Sequence, residues 1–533
     1  MTMDTMGRYY LALCACGMSL GGAMAQTGSC PARPPSNSIV KNPPDLTAIN
    51  GLLKVDLTLR SRQMLELPLK VCYVYESSSG PVEAPTLRLN PGDELQLSLT
   101  DRLTYVRPHT HPTTSSPAPH DPCAGGAMAT TSTNIDFHGL DIPPDCHQGE
   151  ISVTTIENTD PAFEYKIKIP KDNPPGMYWY HPHLQGSATL QLNGGASGVL
   201  IVGGMEKAKP EAAGLPERIL VVRQTFEEDD PESWPPGESL LSLNFQPAVY
   251  PHHPSPVIQM KPGAREFWRM ANATSQAFLA LRLVFGSTAQ TVKLVAVDGV
   301  PVRKSVDLRT IELPPGGRAE FIVTAPAAMQ GARLLETEVE TGRTGSENPA
   351  QELAKIVASA EAQEPPALGG GPARAAEPAA ARHSEAPLAD VRATVVRKLY
   401  FAEATNGTNG PTRYFLTVEG QTPKLFDPSG PPAVVTKAGA VEDWIVANHS
   451  GEIHAFHMHG MHFVLLQASG RKLPNPELRD TVAVPAWDGA GPYPTVTLRM
   501  DFRDPRSAGT FVFHCGILHH AETGMMAKVQ VNP

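Results

Sequence analysis

The sequence has no excess of positive charge: 44 Lys and Arg stand against 54 Asp and Glu, a formal net charge of −10 over 533 residues. That balance gives no reason to expect nucleic acid or an anionic membrane as a partner. Past the N-terminus there is no apolar run approaching the roughly 20 residues needed to span a bilayer. Charged residues are only 18% of the chain and cysteines number 7, so each cysteine calls for an account. Proline and glycine are abundant instead, at 53 and 45, which argues against a helical protein and for short strands joined by turns. Length alone suggests about three domains.

Residues 1–25 read as an export signal. Arg8 precedes an apolar stretch from Tyr9 to Leu20, and Ala23-Met24-Ala25 forms an A-x-A-like cleavage site before Gln26. Lipoprotein processing at Cys14 or Cys16 is the weaker alternative, because neither has a good small-residue context. Export to the periplasm or outside the cell permits disulfides. Removing the leader leaves Cys30, Cys72, Cys123, Cys146 and Cys515. The first four allow three pairings, of which Cys123 with Cys146 is preferred because they flank one loop-strand unit. Cys515 is left over, and a metal would explain an unpaired thiol in an exported protein.

Three segments share one grammar of apolar strand, glycine-containing turn and strand. "APTLRLNPGDELQLSLTDRL" lies in the first, 50–205; "SPVIQMKPGAREFWRMANAT" and "ELPPGGRAEFIVTAP" in the second, 215–335; "AVVTKAGAVEDWIVANHS" in the third, 393–533. Period-2 strands with regular turns indicate an all-β protein of β-sandwich units. The Ala/Pro-rich stretch at 345–390 reads as a disordered linker without chemistry of its own.

Two His-x-His pairs stand out among 18 histidines: His181 and His183 in "GMYWYHPHLQGS", and His457 and His459 in "HAFHMHGMHF". On a strand, i and i+2 share a face, so each pair aims two imidazoles at one place. Copper, zinc, iron and nickel all suit imidazole. Near the C-terminus, "FVFHCGILHHAETGMM" spaces Cys515, His520 and Met525 five and five apart. With His454 added, two imidazoles, a thiolate and a thioether make the donor set of a blue-copper site. Zinc is the runner-up metal, but it does not commonly take methionine.

"HAFHMHG" and "HCGILHHAETGM" resemble the C-terminal copper signature of the multicopper oxidases. "YWYHPHLQGS" and "STNIDFHGL" are similar to that family's other two motifs. The resemblance implies three cupredoxin-like Greek-key domains and a type 1 copper held by His454, Cys515, His520 and Met525. It also implies a trinuclear copper cluster between the first and third domains. One type 3 copper would take His183, His459 and His514. The other would take His138 and His181, with its third ligand falling on Gly516. The type 2 copper would take His457, with Asp136 where a histidine is expected. In the resembling enzymes, electrons pass from type 1 copper through the cysteine to its flanking histidines, and the cluster reduces dioxygen to water. Here only the arm through His514 is intact.

Asp136 has three readings: a carboxylate ligand, a proton donor to reduced oxygen, or a structural cap. Gln185, His519 and His147 are the sequence candidates for the ligand missing at 516. His109, His111 and His120 read mostly as solvated, as do His252 and His253. Glu522, one residue beyond the usual acidic position, bears on proton delivery. The resulting expectation is an exported, monomeric copper oxidase, with Cys515, His514 and Asp136 as its catalytic residues. It would use dioxygen and a phenolic, aromatic amine or metal-ion donor, phenols and amines being favoured because no methionine-rich insertion is present. The second reading is a type 1 copper protein that carries electrons without reducing dioxygen.

Overall fold

The computed structural model describes residues 29–61, 70–104, 120–126, 128–225, 240–248, 254–327, 331–369, 388–405 and 412–533. The leader, His109, His111, His252, His253 and residues 370–387 of the expected linker lie outside them.

Alternating sequence makes the strands. In Glu94–Arg102 the side chains of Leu95, Leu97 and Leu99 are buried while their neighbours face outward, the period-2 pattern of a sheet with one wet face. The described strands form six sheets, grouped into three sandwiches by chain position. Each sandwich repeats the same two parallel pairings. Leu52–Ser61 runs beside Glu94–Arg102, Glu217–Thr225 beside Arg265–Ala273, and Val395–Thr405 beside Val441–Asn448. In the opposing sheets, Thr86–Leu89 pairs with Gly198–Val202, Val257–Met260 with Gln351–Ala358, and Val434–Lys437 with Met526–Asn532. Parallel neighbours require crossover connections, so the repeated grammar of the sequence is a repeated topology. The all-β, three-sandwich expectation holds.

The expected linker needs correction at its N-terminal end. Gln351–Ala358 is a strand between Val257–Met260 and Ala332–Glu336, with Leu353, Ala354, Ile356 and Ala358 buried. Composition pointed to a spacer, but the apolar spacing in "QELAKIVA" decides, because Leu353, Ala354 and Ile356 join the middle core. Residues before 50 also belong to the fold: Asp45–Thr47 pairs with Thr86–Leu89.

Among the buried strands are Asp136–His138, Gly176–His181, His454–Met458 and the C-terminal half of Gly509–Cys515. Two-sided burial leaves no room for hydrated polar groups, yet these strands carry histidines. Those histidines are the site.

Candidate metal centre

Strand register sets the centre. Phe456 lies opposite Cys515 and His457 opposite His514, so alternation sends Cys515 to one side of the sheet and His514 to the other. On the first side, Cys515 Sγ is 3.6 Å from His454 Nδ1 and 4.0 Å from His520 Nδ1, and the two nitrogens are 3.3 Å apart. The short helix Leu518–Glu522 carries His520. Its exit is pinned by two backbone bonds, Met525 N–H to His520 O at 2.8 Å and Cys515 N–H to Met525 O at 3.0 Å. Met525 is fully buried in the same core as Cys515. Cys515 makes no disulfide, whereas Cys30 pairs with Cys72 and Cys123 with Cys146.

Both histidines turn Nδ1 inward, and their outer nitrogens meet oxygens. His454 Nε2 lies 2.7 Å from Ser450 Oγ and 3.3 Å from Glu403 Oε1; His520 Nε2 lies 3.5 Å from Glu452 Oε2. Tyr414 stacks on the His520 ring at 3.9 Å. Such outer partners fix ring orientation and tautomer. Burial pushes the Cys515 thiol up to about 12 and lowers both histidines. The imidazoles are therefore neutral lone-pair donors, and the thiol releases its proton to solvent when a metal cation takes its place on sulfur.

On the other side of the sheet, His514 Nε2 is 3.0 Å from His183 Nε2 and 2.9 Å from His459 Nε2. His514 Nδ1 donates to the Cys515 carbonyl at 2.7 Å, which leaves Nε2 as a bare lone pair. The same logic applies to His181, whose Nδ1 donates to Pro182 O, and to His457, whose Nδ1 donates to Asp480 O, both at 2.8 Å. Burial holds His183, His457 and His514 well below the usual histidine range and brings His138 down to about 4. Unprotonated nitrogens converging at 3 Å repel unless a cation lies among them, so the donor set fits a metal.

Asp136 opens the strand Asp136–His138, which pairs with Gly176–His181 so that Asp136 faces His181. Its Oδ2 is 3.3 Å from His181 Nε2 and 3.7 Å from His138 Nδ1, and its Oδ1 is 3.3 Å from His459 Nδ1. Burial favours its neutral form, but His459 and His181 outweigh burial and hold it well below the usual carboxylate range. Asp136 Oδ2, His181 Nε2 and His457 Nε2 are buried without a hydrogen-bond partner among the described residues. A metal between the facing Asp136 Oδ2 and His181 Nε2 would satisfy both.

The other sequence candidates are elsewhere. Gln185 donates to the Glu522 carbonyl, His147 to the Glu164 carbonyl, and His519 is an exposed residue near Tyr414. Glu522 accepts from Thr189 N–H at 2.8 Å across the interface of the first and third sandwiches. His120 pairs with Asp160 at 2.9 Å. At Gly516, an added Cβ would lie 2.9 Å from Pro315 O and 3.1 Å from Ala455 Cβ. The space of the absent ligand is thus closed by a turn of the middle sandwich. Gly316 in that turn has φ +84, and a Cβ there would come within 2.9 Å of the His138 ring, so both backbone shape and closeness require glycine.

Sequence reasoning missed Arg318 and Asp480. They form a buried pair, Nη1 to Oδ1 at 2.8 Å, with Asp480 Oδ1 also 3.6 Å from His138 Nε2. One residue from each sandwich meets there. It missed Glu403, Glu452, Ser450 and Tyr414 as well. Glu452 and Ser450 sit just before His454, but no spacing rule marks Glu403, 51 residues upstream.

Comparison with known proteins agrees with this geometry. Three models described as "Multicopper oxidase" match residues 127–207, 216–351 and 398–533. A multicopper oxidase of Staphylococcus aureus is 22% identical over 466 residues, covering 85% of this chain and 83% of that protein. A laccase of Bacillus subtilis is 21% identical over 500 residues, covering 85% and 89%. The solved multicopper oxidase from Campylobacter jejuni, described as a metallo-oxidase, superimposes with a TM-score of 0.66 at 21% identity, covering 94% of this chain and 96% of that one. Among the described residues no helix is long and apolar enough to cross a membrane. The three matches fall in order on the three sandwiches: the chain belongs to the multicopper oxidase family and is a copper-dependent oxidoreductase.

Proposed function

We propose that the protein is an exported, monomeric oxidase that takes single electrons at a type 1 copper held by His454, Cys515, His520 and Met525. His183, His459 and His514 together with Asp136, His138 and His181, and with His457 beside them, would hold a modified cluster to receive those electrons. The observation that carries this reading is the convergence of one unpaired thiol and two neutral imidazoles within 4.0 Å. Sandwich packing alone requires no such set. Copper bound at these residues would supply one-electron oxidation of the donor and reduction of dioxygen.

The chain's own part is positioning. Cys515 and His514 are joined by a peptide bond, and the His514 ring is tied back to the Cys515 carbonyl, so the two sites are linked through one short covalent path. Gly516 offers no second path. Glu403 and Glu452 at the outer edges of the type 1 histidines suit a donor that brings a hydroxyl, an amine or a positive charge, which supports phenols, aromatic amines or metal ions. The two disulfides support export to an oxidising compartment. All residues of both sites come from one chain, which supports a monomer. The test is oxygen uptake by the copper-loaded protein with a phenol, an aromatic amine and ferrous ion. Uptake that disappears in Cys515→Ser is expected. A blue protein inert toward all three would favour the electron carrier instead.

A further inference from the structure

Gly516 leaves the pair His138/His181 one ligand short, and Asp136 leaves His457 without a second histidine. These two departures have a common resolution. We propose that Asp136 is the third ligand of the copper at His138 and His181, so that the cluster is a two-copper centre without a type 2 copper. The proposal rests on the oxidase reading above and changes what that reading assigns to Asp136.

Distances fit Asp136 to the copper of His138 and His181, and the partners of His459 then decide between the two possible roles. Imidazole nitrogens and carboxylate oxygens bind a divalent ion of zinc's size at about 2.0–2.2 Å, so donors sharing one ion lie roughly 3–3.7 Å apart. Asp136 Oδ2 meets that condition with His181 Nε2 at 3.3 Å and His138 Nδ1 at 3.7 Å, and the three residues form one candidate ligand group. His181 Nδ1 is spent on Pro182 O, so the nitrogen facing Asp136 is a bare lone pair. A carboxylate oxygen and an imidazole lone pair face each other, both buried and both without a hydrogen-bond partner among the described residues. A cation between them removes that conflict.

A second possible group joins Asp136 to His457 and His459, and it would restore a type 2 site. The other assignments of His459 argue against it. His459 directs Nε2 to His514 at 2.9 Å and turns Nδ1 to Asp136 Oδ1 at 3.3 Å. Read together, His459 is a ligand of the three-histidine copper through Nε2 and donates its Nδ1–H to Asp136, the usual outer partnership of a metal-bound histidine. Asp136 then binds one copper through Oδ2 and steadies a ligand of the other through Oδ1. His457 keeps its Nε2 without a second protein ligand. The turn at Pro315 closes the route by which residue 516 could contribute, so the carboxylate takes over that ligand position.

Copper content and electron-spin spectra of the copper-loaded full-length protein test this without reference to turnover. The expected result is about three coppers per chain, only the blue one visible by electron-spin resonance because the other two are coupled. Asp136→Ala should lose about one copper and uncouple its neighbour, which becomes spin-visible, while the blue signal stays. His457→Ala should keep all three. Four coppers with a second, non-blue signal that His457→Ala abolishes would overturn this inference and leave the oxidase reading intact. So would Asp136→Ala that keeps its full copper and a silent pair. A colourless protein with no bound copper would overturn both.

Discussion

Replacing Gly516 by alanine tests whether the missing ligand position is an open gap or a filled one. The added methyl would lie 2.9 Å from the Pro315 carbonyl oxygen and 3.1 Å from Ala455 Cβ, whereas carbon atoms settle at about 3.5–4.0 Å. Neither neighbour yields easily. Pro315 O belongs to the backbone of a turn, and the Gly516 N–H is bonded to Ala455 O at 2.7 Å, which holds the two strands in register. Overpacking of this kind costs about 1–3 kcal/mol. At about 2–4 °C per kcal/mol for a domain of this size, the C-terminal sandwich should melt roughly 2–12 °C earlier. Calorimetry on the copper-free protein reads this directly, with Gly331→Ala as the control because nothing lies within 4 Å of its added Cβ. Gly516→His should be worse still and should not gain copper. Equal melting of Gly516→Ala and Gly331→Ala, or a stable Gly516→His with an additional copper, would refute the claim that the turn fills the site.

Two further perturbations follow from buried charge. Arg318→Met removes one partner of a pair in which both side chains are fully buried, so denaturant unfolding should show a loss of about 3–5 kcal/mol; a loss under about 1 kcal/mol would mean that Asp480 finds other partners. Burial raises Glu336 to about 8, so the fold binds its proton more tightly than the unfolded chain does. The stability from this proton is complete below about pH 4.3 and disappears as pH climbs through the folded value. Glu336→Gln keeps an acceptor for Gln351, which donates to it at 2.9 Å, and should therefore gain melting temperature on wild type steadily from pH 5 to pH 8. A difference independent of pH would contradict that sign.

How far the sequence spoke depended on whether a feature is local. His181 and His183, and His457 and His459, were legible because strand alternation places i and i+2 together. Cys515, His520 and Met525 were legible because one loop carries all three. The partner of Asp136 was not, since only the register of Asp136–His138 against Gly176–His181 shows that the carboxylate meets His181 rather than His457 alone. Glu403, Arg318 and Asp480 act from segments distant in sequence and match no spacing rule. Of the cysteine pairings, Cys123–Cys146 was the preferred one and is present, while Cys30–Cys72 follows from contact between the N-terminal arm and the first sandwich. The strand at 351–358 was masked by its Ala/Pro-rich surroundings, although its own apolar spacing was readable.

Sulfur ligation at residue 515 is read from the visible spectrum of the copper-loaded protein beside that of Cys515→Ser. Wild type should be intensely blue, and the serine variant should be colourless in that band with about one copper fewer. A colourless wild type, or a variant that stays blue, would contradict the central claim.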